Sequence, residues 1–293
     1  MTILVTQAKA AGGIRQLSYL SLISTLFLTG CGVGSDVARD ISDAIVCSVS
    51  NCKDSGSLKP EDIRASYLVT QNLGTVRVEA SLSQSANLLT VVSLSAGDHL
   101  STNIGSQSAI LIDTDGHGRK YAANLADASP QPSVNVNFYR GTDAYVSNVT
   151  MPKPFSIVAP SGTVALGRLA GKLYVRLDVA SNDAVTASTK MHCQRVDGTL
   201  FDASAAVNAV YDAAAPGGAA YRVDTLLLDQ ALNVASKAIG APNNSNLSLV
   251  QNCDLELIWT LSQSGQSSTA MSKYSSITAQ RSVSHLVTYD ARN

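Results

Sequence analysis

The chain has 293 residues, with 21 basic and 22 acidic side chains and a formal net charge of -1. That balance offers no basic patch from which a nucleic acid could release counterions, and so argues against nucleic acid or an anionic surface as a partner. Charged residues make up 15% and aromatics only 5%, while Ser, Thr, Asn, Ala and Val recur in short alternating runs, the pattern of an exported β-rich protein.

In chain order, Lys9 and Arg15 precede an apolar run over residues 17–28, which has the length of a secretory signal core and is too short to span a bilayer. The run ends in Leu28-Thr29-Gly30-Cys31, a cysteine placed directly after small residues. This stretch resembles a lipobox, and the chain resembles a bacterial lipoprotein precursor. The resemblance implies that residues 1–30 are removed as a signal peptide and that Cys31 becomes the first residue, carrying a diacylglycerol thioether and an acylated amine such as a palmitate amide. Each buried methylene is worth about 0.8 kcal/mol and one chain holds only marginally, so several chains on Cys31 would give a durable membrane partner. In such lipoproteins an Asp after the cysteine often signals inner-membrane retention. Gly32 therefore implies the outer membrane, at its periplasmic face or at the cell surface. No run of about 18 apolar residues follows Cys31.

Residues 35–46 place Val37, Ile41, Ala44 and Ile45 at helical spacing after a Ser35 cap, which predicts a short helix stopped near Cys47. Residues 54–60, with Gly56 and two serines, read as a tether. Residues 31–60 are thus expected to hold the lipidated cysteine, the helix and the tether, with one β-sandwich over 61–152 and a second over 153–293.

In the first sandwich, strands are predicted at 63–70, 75–82, 88–94, 109–112, 121–125, 134–139 and 144–150. Val76, Val78, Ala80 and Leu82 share one face while Arg77, Glu79 and Ser81 share the other, as one buried face requires. Val134, Val136 and Phe138 alternate with Asn135, Asn137 and Tyr139 in the same way. Met151-Pro152-Lys153-Pro154 should break the chain, because proline donates no ladder hydrogen bond and restricts its predecessor.

In the second sandwich, Cys253, Leu255, Leu257, Trp259 and Leu261 form one inward row, Leu173, Val175, Leu177 and Val179 another, and Met191 with Cys193 a third. Residues 275–289 supply a closing strand. Residues 224–240 stay open: 221–228 reads as a strand, yet 228–239 reads as a helix ended by Gly240. After Cys31, four cysteines remain, an even number in an oxidising compartment, and three pairings are possible. The expected bridges are Cys47 with Cys52, which lie in one short segment, and Cys193 with Cys253, on strands whose inward faces could meet. With no C-x-x-C motif, a metal or redox site at these cysteines is disfavoured. Over residues 155–290 the strand pattern and cysteine placement resemble an immunoglobulin-like arrangement, which implies a bridge crossing between sheets beside Trp259. The expected fold class is therefore all-β, with two consecutive immunoglobulin-like β-sandwiches.

Asp113-Thr114-Asp115-Gly116-His117-Gly118 resembles the start of a calcium loop, making Asp113 and Asp115 weak metal candidates. No third acidic ligand or closing glutamate follows, so a tight hairpin turn is the favoured reading. Gly97-Asp98-His99 reads as a loop closure between strands. G-x-S-x-G, H-E-x-x-H and the phosphate-binding loop are all missing, and the four histidines are at 99, 117, 192 and 285. No cofactor and no catalytic residue is expected. The predicted function is a noncatalytic, lipid-anchored envelope protein presenting its sandwiches to an envelope protein or a glycan. Tyr139, Tyr145 and Tyr174 are the available ring platforms for the latter, and an envelope hydrolase is the remaining alternative.

Overall fold

The computed structural model describes residues 51–180, 184–239 and 249–293, all within one unit, Asp43–Asn293. Cys31, the helix expected over 35–46 and Cys47 lie outside the described residues.

The first strands are β1 (Cys52–Asp54), β2 (Ile63–Asn72), β3 (Thr75–Gln84), β4 (Asn87–Ser93) and β5 (His99–Ile104). They continue with β6 (Gln107–Ile110), β7 (Ile112–Asp113), β8 (Tyr121–Ala126), β9 (Ser133–Arg140) and β10 (Asp143–Thr150). Next come β11 (Ile157–Ala159), β12 (Val164–Gly167), β13 (Lys172–Leu177), β14 (Ala184–Arg195) and β15 (Leu200–Val207). The chain ends with β16 (Ala209–Asp212), β17 (Ala220–Asp224), the helix α1 (Thr225–Ala238), β18 (Val250–Ser264) and β19 (Ser276–Asp290). The fold is all-β and sandwich-like.

One eleven-stranded sheet runs β1-β4-β3-β2-β19-β18-β14-β15, with β8 and β7 beside β3 and with β12 on β19. Two four-stranded sheets, β10-β9-β5-β6 and β11-β13-β17-β16, complete the layers. The predicted inward rows are buried: Val76, Val78, Ala80 and Leu82 on β3, Val134, Val136 and Phe138 on β9, and Leu255, Leu257 and Trp259 on β18. They fall into two apolar clusters. The first draws mainly on residues 63–151 and the second on residues 155–289.

The clusters share the long hairpin β18–β19. Ile277 and Ala279 from β19, with Met271 from the connecting loop, belong to the first cluster, whereas Val287 and Tyr289 belong to the second. The flank of β19 is divided in the same way: Ser276–Gln280 run parallel to β2, and Val287–Asp290 run parallel to β12. Gly265, just past β18, lets Gln266 pair with Asn148 of β10. A Cβ at Gly265 would collide with the Asn148 carbonyl.

Cys193 and Cys253 form the expected disulfide. It does not cross between sheets. The two residues are direct cross-strand neighbours on β14 and β18, with both side chains on the inward face, so the bridge staples adjacent strands of one sheet. Trp259, three rows further along the same face of β18, is fully buried with its ring 5.6 Å from that of Tyr221. Truncating such a side chain to alanine costs about 3–5 kcal/mol.

The open stretch after residue 220 contains both readings in succession. The strand ends at Asp224, whose Oδ1 accepts from the Leu226 and Leu227 amides at 3.0 and 3.4 Å and so caps α1. Leu228 and Leu232 then face the core, and Asn233 Oδ1 accepts from the Leu249 and Val250 amides at 2.6 and 3.0 Å. Asp229, on the same helix, accepts from the Tyr289 hydroxyl at 2.5 Å and ties α1 to β19.

His285 sits on the inward side of β19, opposite Leu257, and neither of its buried ring nitrogens has a hydrogen-bond partner among the described residues. Burial pushes its pKa below the ordinary value. The unfolded chain therefore takes up this proton first. The stability contributed by neutral His285 is complete above about pH 6.5 and is lost as pH falls toward the lower folded value. Urea midpoints measured at pH 7.5 and 5.0 should fall further for the native chain than for His285→Leu. Equal falls would contradict this placement.

Candidate functional site

The outer face of β10-β9-β5-β6 carries a neutral polar platform. Alternation sends Leu100, Thr102 and Ile104 of β5 inward, and so turns His99, Ser101 and Asn103 outward. Register then aligns them in rows across the strands: Ile110, Ser101, Asn137 and Val146 in one, Ser108, Asn103, Asn135 and Asn148 in the next. Asn137 is only 7% exposed, and its Nδ2 donates to Asn103 Oδ1 at 3.2 Å and to Ser101 Oγ at 3.4 Å, which fixes the centre of the ladder. At the neighbouring row the His99 and Tyr139 rings stack in parallel, with centroids 4.7 Å apart and planes 7° apart. These rows contain no Asp, Glu, Lys or Arg.

Behind the ring pair lies a charge clamp. Asp98 and Arg140 adjoin His99 and Tyr139 in sequence. Arg140 donates through Nε to Asp98 Oδ1 at 3.1 Å and through Nη2 to Oδ2 at 2.5 Å. The Asp98 side chain is 2% exposed. Hydrogen bonding to Asp98 pushes the Arg140 guanidinium above its ordinary value. The same guanidinium donates to the carbonyls of Leu58 and Ser55, each at 2.7 Å. Ser55 is fully buried, and β1 lies parallel to β4. Residues 54–60, expected as a loose tether, are thus fastened to the first core, because their carbonyls meet a cation that is itself held by a buried acid.

The sequence candidates are scattered. Cys52, in β1, is half-buried and is a free cysteine among the described residues, and the bridge expected with Cys47 falls outside them. Asp113 and Asp115 lie where β7 turns back to β8, as the hairpin reading requires. Asp113 Oδ1 accepts from the Asp115 and Gly116 amides at 3.1 and 3.0 Å, and Oδ2 accepts from Gly118 at 2.9 Å. Desolvation alone would raise the Asp115 pKa. A hydrogen bond shared with the Asp113 carboxyl, and those donated by the His117 and Arg119 amides and the Arg119 guanidinium, hold it down to about 2 instead. The loop thus uses its carboxylates to order its own backbone. Among the described residues no three His, Cys, Asp or Glu side chains gather as a group that could hold a metal ion. His192 Nδ1 lies 2.8 Å from Asp202 Oδ1 on an open face of β14 and β15, both side chains largely exposed, where such a pair contributes little.

No family model and no curated protein matches the chain. Among solved structures, a chimeric titin Z1Z2 functionalized with a KLER exogenous peptide from decorin aligns at 11% identity and TM-score 0.19, covering 80% of this chain and 96% of that one. The calcium binding domain CBD12 of CALX1.1 aligns at 7% identity and TM-score 0.19, covering 77% and 99%. Likeness at that level carries no argument about fold or ligand.

Sequence reading missed β5 and with it Ser101, Asn103 and the strand position of His99. Thr102 occupies an inward position, fully buried, with its hydroxyl donating to the Asn135 carbonyl at 2.9 Å, and so hides the alternation. The outward set of Asn135, Asn137 and Tyr139 was legible. Tyr145 is instead drawn inward, its ring 5.8 Å from Phe138.

Removing one partner of a buried ion pair costs about 3–5 kcal/mol, because the remaining charge is left desolvated. Arg140→Met should fall near the lower end of that range in urea unfolding and should expose the bond after Lys53 to trypsin. An unchanged unfolding midpoint together with an unchanged cleavage pattern would rule out the clamp.

Proposed function

We propose that the chain is a noncatalytic, lipid-anchored protein of the bacterial outer membrane that binds a neutral glycan on the β10-β9-β5-β6 platform. The observation that carries this reading is the uncharged Asn and Ser ladder beside the stacked His99 and Tyr139 rings. Each Asn amide offers donors and an acceptor together, as sugar hydroxyls require, and an aromatic face accepts the apolar side of a pyranose. A ladder without ionised groups suits a ligand without charge.

The lipid anchor on Cys31 rests on the lipobox resemblance. A chain tied down at Ser55 and Leu58 would hold the platform within reach of the membrane instead of on a free tether. A purely structural envelope role has no single feature favouring it over binding.

The direct test is a neutral oligosaccharide array, followed by calorimetric titration of the best-retained glycan. Tyr139→Ala should weaken binding at least tenfold and Asn103→Ala several-fold, with the circular dichroism spectrum unchanged. Retention of no neutral glycan, or equal binding by Tyr139→Ala, would overturn the glycan reading. In cells, Cys31→Ala should abolish fatty-acid labelling, and labelling that persists would overturn the anchor.

A further inference from the structure

Between its pairing with β2 and its pairing with β12, β19 leaves residues 281–286 without a ladder partner on that flank. Arg281 opens this gap. Its Nε donates to the Pro152 carbonyl at 2.7 Å, and its Nη2 donates to the Pro130 carbonyl at 2.7 Å and to Gln71 Oε1. Gln71 is held in turn by donating to the carbonyls of Asp127, at 2.7 Å, and Ser129, at 3.2 Å.

All three acceptors are neutral, and no carboxylate among the described residues forms an ion pair with Arg281. Its only perturbation is loss of solvent, which lowers its pKa. Nη1 has no hydrogen-bond partner among the described residues and is not sealed from solvent. Arg281 also lines a crevice of about 190 Å³, together with Gln71, Asn72, Pro154, Phe155 and Ser282 among others.

Strapping three carbonyl oxygens together needs donors but no charge. A partly desolvated cation whose protein acceptors are all neutral keeps a charge that an anion can meet. Because the Nε and Nη2 hydrogens are already committed, the planar fork is fixed, and its free edge has one direction to offer. We infer that this crevice binds a small oxyanionic group, a carboxylate or a phosphate, with Arg281 Nη1 as its charged donor and the Asn72 and Phe155 walls bounding it. The inference rests on the junction alone and stands whether or not the platform binds glycan.

The test is titration of sodium phosphate and of sodium acetate into the protein, followed by calorimetry and thermal melting, against sodium chloride at matched ionic strength. Saturable binding of at least one oxyanion is expected, with a rise in Tm that chloride does not produce. Response to phosphate alone would identify a phosphate site, and response to acetate alone a carboxylate site. Arg281→Gln should weaken binding at least tenfold. Should that variant fail to fold, Arg281→Lys, which keeps the charge but loses the fork, and Asn72→Ala, which leaves the strap intact, should each weaken it several-fold. No saturable binding of either oxyanion, an equal response to chloride, or wild-type affinity in the variants that fold would overturn the site.

Discussion

The structure depends on one long β-hairpin. β18 and β19 are fifteen residues long each, and thirteen residues of each pair without interruption from Asn252 opposite Asp290 to Ser264 opposite Thr278. Such a ribbon is longer than either apolar cluster needs, so its inward row must serve both in turn: Ile277 and Ala279 in the first, Val287 and Tyr289 in the second. The charged and polar members of that row, Arg281 and His285, fall in the stretch that neither β2 nor β12 covers. Interruption of the neighbouring ladder and interruption of the apolar row are one event.

Around that spine the two ends of the chain are secured by different chemistry. The C-terminal end is held by apolar burial, the Cys193–Cys253 staple and the Tyr289–Asp229 hydrogen bond to α1. The first described segment, residues 52–60, has little apolar surface to bury. It is held by carbonyl oxygens pointed at Arg140, whose charge the buried Asp98 balances. The clamp sits one residue away from the His99 and Tyr139 ring pair on both of its strands, so segment and platform share a support. In the proposed function this is how a membrane-proximal segment and a recognition face remain in fixed relation.

Much of the fold was legible because its strands obey alternation. β3, β9, β13 and β18 each show an apolar row separated by polar residues, and each buries that row. The rows also indicated that Cys193 and Cys253 could meet, but not that they would meet within one sheet, since inward-facing side chains look alike whether the partner strand is adjacent or opposite. β5 was hidden by a buried threonine, and the division between strand and helix near Asp224 was hidden because a run of leucines fits either period. The platform was half visible, through Asn135, Asn137 and Tyr139. Its completion needed the register of β5 against β9, a long-range pairing that no local pattern encodes. Arg140 and Arg281 gave no signal at all, because the side chains and backbone carbonyls they bind lie 42 or more residues away in sequence.

If the hairpin joins both clusters in one cooperative body, heat should melt them together. Differential scanning calorimetry of the chain from residue 31 onward is the most direct measurement. A single transition whose calorimetric and van't Hoff enthalpies agree is predicted. Two separable transitions, one carrying each cluster, would contradict it.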